Sequence, residues 1–336
     1  MVTTADAAKL GWLALVSENL FLEGKTKPRD VAPIEGLGYT PVAVLIARDV
    51  DPLALRQTSD AALALLGLGD TSYYGFLARA TIDPNRFVIC VRGTMDPAEW
   101  AIDARFPTIA HPDGGGLEVE SGFWSIYETM QMVDLDGVSN PVRAATGLAE
   151  KIDAAAVTVV GHSLGSALAT YLTYDLVKSA KGPVSACLFA SPRTGNAAWV
   201  VAFDKAVKEY ALYNYILDVV PKVPFDALPL IQYSTLPRET VLDPLTVEAN
   251  IAFDIPSHHH VICYSAMLNY QATVAWPGVV GDGTWASVIG PVPVSGFSLN
   301  HDLAVGVAIA VEKLEGFGRE AVRLISVTAQ AKGAHV

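Results

Sequence analysis

Cysteine is scarce in this chain: Cys90, Cys187 and Cys263 are the only three among 336 residues. Three thiols cannot build a disulfide framework, and Cys90 and Cys187 fall inside apolar runs of strand length, where cysteine acts as a small buried hydrophobe. Basic residues are also few, 23 Lys and Arg against 35 Asp and Glu, for a formal net charge of −12. That balance argues against nucleic acid, whose phosphates need Lys and Arg to displace counterions. It argues equally against simple electrostatic adhesion to anionic membranes. No stretch reaches the roughly 18 nearly unbroken apolar residues of a transmembrane helix. The amino-terminal MVTTADAAKLGWLALVSENLF lacks a basic n-region and spaces its apolar residues along one helical face. It reads as a helix of the mature protein, not a signal peptide. The expected location is therefore the cytoplasm by default, with export by a signal-independent route as the alternative. Repeats, low-complexity tracts and charge blocks are missing too.

What is present suits a large packed core: 51% of the residues are hydrophobic and 17% charged. Apolar runs of strand length alternate with helical patterns. Strands are expected at Arg86–Val91, Ala156–Val160, Val184–Ala190 and Tyr210–Leu217. Helices are expected at Gly122–Val133, Val142–Ile152, Leu164–Lys178, Ala197–Lys208 and, near the end, Asp302–Leu314. Short apolar runs without polar alternation, interleaved with helices, imply an α/β protein with a mainly parallel central sheet covered on both faces. From Trp276 to Leu299 the chain is rich in Gly, Pro and Val, a loop or a small excursion with strands.

The join between one strand and one helix stands out. VTVVGHSLGSALATYL places Gly161-His162-Ser163-Leu164-Gly165 between a β-branched run and a helix-prone one. This matches G-x-S-x-G in the strand–turn–helix context that a nucleophile elbow requires. The serine must sit on a strained turn so that its hydroxyl protrudes, and glycines two before and two after keep side chains out of the neighbouring strand and helix. The helix that begins at Leu164 aims its unpaired N–H groups where negative charge would develop. Ser163 is thus the candidate nucleophile. Neighbouring side chains diverge at a sharp turn, so His162 is read as a residue that packs or that supports the catalytic groups from behind, and the base is sought elsewhere.

Four patches in order resemble the class 3 lipases, fungal-lipase-like α/β-hydrolases. They are Arg92-Gly93-Thr94 with Trp100 and Asp103, Glu120-Ser121-Gly122-Phe123, the GHSLG turn, and Asn214-Tyr215-Ile216-Leu217-Asp218-Val219-Val220-Pro221 with Val223-Pro224. In the second patch Glu120 stands near where the family usually carries a histidine. The resemblance covers about residues 70–265, and a segment of about 270–336 has no counterpart in it. The whole of 1–336 is expected to form one α/β-hydrolase domain with that segment as an unassigned extension. Within the resemblance, Thr94 and the Leu164 N–H form the oxyanion hole, a donor pair that suits acyl transfer. The stretch from Met95 to about Pro107, with Trp100 and Phe106, corresponds to the lid. Asp218 ends an apolar strand downstream of the serine, which fits the Ser…Asp…His order of the fold. Asp226, Asp243 and Asp254 compete, but none follows so clear a strand.

The base is the least determined position. In Ser257-His258-His259-His260-Val261-Ile262-Cys263-Tyr264 the spacing from His259 to Tyr264 fits the family's H-x4-Y, which puts His259 first. His260 and His301, the latter also ahead of an apolar helix, are the alternates. Three adjacent histidines cannot converge on one ion as i, i+4 pairs do, so no metal and no cofactor is expected. The resemblance implies a serine carboxylic-ester hydrolase acting through an acyl-enzyme on an ester or lipid substrate, with a lipid–water interface as a possible setting. A triacylglycerol-type lipase is the first reading. An esterase for smaller or feruloyl-type esters and a phospholipase A1 are alternatives, and a non-catalytic hydrolase-like binding protein is the reading from another class.

Overall fold

An apolar strand without alternation needs cover on both faces, and Arg86–Val91 has it. Val88 and Cys90 enter the core beneath one face of the sheet, Ile89 and Val91 the core beneath the other. A computed structural model describes residues 2–24, 28, 30–48, 71–93, 107–135, 140–224, 233–243, 247–252, 255–276 and 288–291 of the chain. Helices α1 (Thr4–Glu23) and α2 (Ala32–Gly36) lead into strands β1 (Tyr39–Arg48), β2 (Thr71–Ala80) and β3 (Arg86–Val91). A hairpin of β4 (Thr108–Ala110) and β5 (Glu118–Glu120) runs into α3 (Ser121–Glu128), followed by β6 (Gln131–Asp134), β7 (Val142–Arg143) and α4 (Ala144–Ile152). Then come β8 (Ala156–His162), α5 (Leu164–Ser179), β9 (Val184–Phe189), α6 (Ala197–Ala206) and β10 (Glu209–Tyr215). The described chain closes with β11 (Glu239–Leu242), β12 (Ala249–Ile251), α7 (Ile255–His259), α8 (Val261–Leu268), α9 (Tyr270–Val274) and β13 (Ile289–Pro291).

The main sheet has the order β11-β10-β9-β8-β3-β2-β1-β6-β7. Its five strands from β11 to β3 run parallel, and β2, β1, β6 and β7 continue it through antiparallel pairings. Helices α1 and α8 pack on one face, while α3, α4, α5 and α6 cover the other. Helix α1 starts at a capping box: Thr3 and Asp6 each take the other's backbone N–H through their side chains.

Two expected helices need correction. The pattern over Gly122–Val133 splits, with α3 ending at Glu128 and Gln131–Asp134 becoming β6, which pairs Met132 with Leu45 of β1. Thr129 marks the break, its hydroxyl bonded back to the Ile126 carbonyl at 2.8 Å and taking the Arg48 N–H at 3.0 Å. The helix expected from Val142 begins at Ala144 instead, because Val142 and Arg143 pair with β6. Within Trp276–Leu299, Ile289–Pro291 pairs with β12 as a two-stranded excursion. The rest of that stretch, from 277 to 287 and from 292 on, lies outside the described residues, as does the expected helix Asp302–Leu314.

Candidate active site

Strand β8 ends at His162, and the next residue turns sharply. Ser163 has φ 58° and ψ −129°, left-handed backbone that a non-glycine residue rarely adopts. The two glycines follow from packing. A Cβ on Gly161 would overlap the Gly165 carbonyl, and one on Gly165 would overlap the carbonyls of Val91 and Arg92 on the neighbouring strand. The turn is held from three sides. The Ser163 N–H donates to the Phe189 carbonyl at 3.0 Å, and Ser166 Oγ lies 2.7 Å from the carbonyls of both Gly161 and Phe189. Leu164 opens α5, so its N–H is among the four that a helix start leaves without an intrahelical acceptor.

Asp218 follows β10 and is buried. Its Oδ1 accepts the Val220 N–H at 2.9 Å, and its Oδ2 accepts the Tyr264 hydroxyl at 2.6 Å. The same Oδ2 lies 2.8 Å from His259 Nδ1. Burial pushes this carboxyl up, but His259, Tyr264 and the Val220 N–H outweigh it and hold Asp218 below the ordinary aspartate value. An ionised Asp218 only accepts, so His259 Nδ1 carries a hydrogen. In the neutral ring Nε2 is then the acceptor. That nitrogen is 2.8 Å from Ser163 Oγ. The hydroxyl therefore donates to His259, which donates to Asp218. Tyr264 is fixed in turn by the Tyr215 N–H, which donates to its oxygen at 3.0 Å.

The structure thus brings Ser163, His259 and Asp218 together, with the Leu164 N–H beside the serine. It sets His260 to other work: this residue caps α8, its Nδ1 accepting the Ile262 N–H at 3.3 Å. Burial lowers His260 to about 4. His301, Thr94, Met95, Trp100 and Phe106 lie outside the described residues, as do Asp226 and Asp254. Glu120, where the resemblance expects a histidine, caps α3 by accepting the N–H groups of Gly122 at 3.0 Å and Phe123 at 2.6 Å. Burial raises it to about 7, against the pull of those two donors.

His162, expected to pack or to support the catalytic groups from behind, has its Nδ1 2.8 Å from Glu18 Oε1 and its Nε2 2.7 Å from the His259 carbonyl oxygen. Sequence reasoning did not single out Glu18. The signal was there in Ala7, Gly11 and Ala14, buried positions on α1 whose three- and four-residue steps lead to a lone glutamate. Among the described residues no group of His, Cys, Asp and Glu is arranged to hold a metal ion. No described helix is long and apolar enough to cross a membrane.

The class 3 lipase family model matches residues 88–228, a span holding the strand before Thr94, the GHSLG turn and Asp218. A chloroplastic/mitochondrial phospholipase A1 of Oryza sativa subsp. indica is 32% identical over 186 residues, which are 46% of this chain and 41% of that protein. A secreted mono- and diacylglycerol lipase A of Penicillium cyclopium is 29% identical over 180 residues, 50% of this chain and 55% of that one. The chain thus spans about half the length of the curated relatives it matches. A solved triacylglycerol lipase with a serine-protease-like triad superposes with a TM-score of 0.51 at 17% identity, over 70% of this chain and 79% of the other, a likeness of fold. Sheet order and elbow agree with the class 3 lipase match over residues 88–228, and the fold is that of the α/β-hydrolases.

Proposed function

We propose that this chain is a serine carboxylic-ester hydrolase, a lipase, that works through an acyl-enzyme. One observation carries the reading: Ser163 Oγ, the His259 ring and the Asp218 carboxylate form a continuous relay with both links at 2.8 Å. Ser163 Oγ attacks the ester carbonyl carbon as its proton passes to His259 Nε2. Asp218 keeps Nδ1–H oriented and stabilises the imidazolium that forms. The carbonyl oxygen becomes an oxyanion, held by the Leu164 N–H and by Thr94 through its N–H and hydroxyl. His259 then gives its proton to the departing alkoxide. In the second half it takes a proton from water, whose oxygen attacks the acyl carbon; the bond from that carbon to Ser163 Oγ breaks as His259 returns the proton to Oγ, freeing the carboxylic acid and the serine. No step needs a metal or an organic cofactor.

The substrate class we favour is an acylglycerol or a related lipid ester. Phospholipase A1 is the second reading, favoured by the rice relatives that carry that name. A small-ester or feruloyl-type esterase is separated from both by chain-length preference. We place the reaction in the cytoplasm by default, with export as the alternative that fractionation of the native host distinguishes. The deciding experiment uses p-nitrophenyl esters of graded length, diacylglycerol and phosphatidylcholine, on wild type and Ser163→Ala. Acyl release that disappears in the variant, with organophosphonate labelling confined to Ser163, is the expected result. A wild type that binds these lipids without turnover or labelling would make it a hydrolase-like binding protein instead.

A further inference from the structure

Beside the relay runs a second buried chain of hydrogen bonds that the proposed chemistry does not use. It starts at Glu18 on α1, passes through the His162 ring and ends on the His259 carbonyl oxygen. A carboxylate and a carbonyl can only accept, so both ring nitrogens of His162 donate and the ring is an imidazolium. Burial opposes that charge, but Glu18 facing it, the hydrogen bond between them and the His259 carbonyl raise His162 above ordinary histidine. Burial likewise opposes the Glu18 charge, and His162 outweighs it and lowers the carboxyl. Among the described residues the other titratable groups facing the pair are Asp218, His259, His260 and Tyr264. The rings of His162 and His259 lie 4.8 Å apart at 38°. Gly93 closes one side, since a Cβ there would stand 3.0 Å from the His162 carbonyl oxygen and 3.1 Å from Glu18 Oε1.

We propose that Glu18 and His162 are positioning residues for His259: the carboxylate holds the His162 ring so that its Nε2–H fixes the His259 carbonyl. This deepens the triad reading and rests on it. Two features make such a fixture necessary. His259 is the last residue of the five-residue helix α7, too short to be stable alone and ending with carbonyls that lack helical partners. And His162 adjoins Ser163, so the bond ties the backbone carrying the base directly to the strand carrying the nucleophile. The distance from Nε2 to Ser163 Oγ is then set locally, without relying on the long path between β8 and α7. Helix α1 supplies the anchor, packing along α8 with Trp12 stacked 5.6 Å from Trp276.

The test uses the full chain and p-nitrophenyl butyrate. Glu18→Ala and His162→Ala should each lower kcat by about 10- to 100-fold, the range expected when a reacting group is misplaced by about an ångström. KM should stay within about two-fold, because substrate contacts are untouched. Glu18→Gln should recover most of kcat, since its amide can donate to Nδ1 of a neutral His162 whose Nε2–H remains. The double alanine variant should be no slower than His162→Ala. A Glu18→Ala enzyme with wild-type kcat and a lower melting temperature would make the pair merely structural and overturn the proposal, as would a Glu18→Gln enzyme no better than Glu18→Ala. Ser163→Ala run alongside separates the two readings, because turnover that survives it refutes the triad and not the pair. Nitrogen NMR of the wild-type His162 ring at neutral pH needs neither turnover nor a variant that folds: a proton bound to Nε2 is expected, and its absence overturns the proposal.

Discussion

Replacing Tyr264 by phenylalanine deletes one oxygen and with it two buried hydrogen bonds. The hydroxyl donates to Asp218 Oδ2 at 2.6 Å and accepts the Tyr215 N–H at 3.0 Å. The ring keeps its volume, so cavity formation contributes nothing and the cost is polar. Losing a hydrogen bond to a carboxylate costs about 1.5–3 kcal/mol, and a buried N–H left without a partner costs about 1–3 kcal/mol. The two losses share one oxygen and one site, so a total of about 2–4 kcal/mol is expected. Asp218 still holds His259 and the Val220 N–H, so kcat should fall only about ten-fold rather than by the amount lost with a triad member. The pH dependence has a definite sign. Tyr264 helps to depress Asp218 in the folded state, so its contribution is present above the ordinary aspartate pKa and is lost as pH falls through the lowered one. The stability gap between wild type and variant, read from urea midpoints at constant m, should therefore be wider at neutral pH than in strong acid. A gap under about 1 kcal/mol at neutral pH with unchanged kcat would refute the hydroxyl's place as the donor to Asp218.

Other substitutions probe other links. His259→Ala should reduce turnover nearly as far as Ser163→Ala, on the order of a million-fold, while His260→Ala loses an N-cap and little chemistry; steady-state assays of both would overturn the assignment if the losses were reversed. Gly165→Ala drives a Cβ into the Val91 and Arg92 carbonyls and should cost at least about 1–3 kcal/mol, with organophosphonate labelling slowed as the turn shifts. A variant as stable and as readily labelled as wild type would contradict that close approach. Glu120 is raised to about 7 from an ordinary 4.5, so its contribution to stability is fully present below pH 4.5 and is lost as pH rises through about 7. Glu120→Gln should remove up to about 3 kcal/mol of that slope between these limits, and parallel stability–pH curves for the two proteins would rule it out.

Much of the parallel half was legible because local signals there agree with the tertiary structure. RFVICV has no polar alternation because both of its faces are packed. The glycines of GHSLG mark where backbone meets backbone. The antiparallel half was harder to read. Strand β1 contains Pro41 next to a register shift, and β2 contains Gly75, whose missing side chain leaves room for the Cys90 carbonyl. Each interrupts the strand pattern for a reason that lies on a neighbouring strand. Met132 and Val133 fitted a helical period until pairing with β1 overrode it. At the site, Asp218 could be named from the end of a strand, and His259 stands first among three histidines because its spacing to Tyr264 resembles the family's. Glu18 stood out only as a glutamate on a buried stripe of α1; its partner could not be named, because 144 residues separate it from His162 and only folding brings them together.

The same local-versus-distant division explains how a strained nucleophile persists. The backbone of Ser163 lies in a region that costs about 1–3 kcal/mol for a residue with a side chain, so the turn would relax if its neighbours allowed it. They do not. Its N–H is bound to β9, the next turn of α5 is clamped to Gly161 and Phe189 through Ser166 Oγ, and Gly165 sits against the carbonyls of Val91 and Arg92. These restraints all come from the parallel half of the sheet and fix only the serine. The base is fixed by other means: Asp218 and Tyr264 hold its ring, and the Glu18–His162 pair holds its backbone. Each half of the relay therefore has its own set of buried polar contacts, and His162, adjacent to Ser163 and bonded to His259, belongs to both. A change at that one side chain reaches the nucleophile's strand and the base's carbonyl together, whereas a change at Ser166 or Tyr264 acts on one side alone.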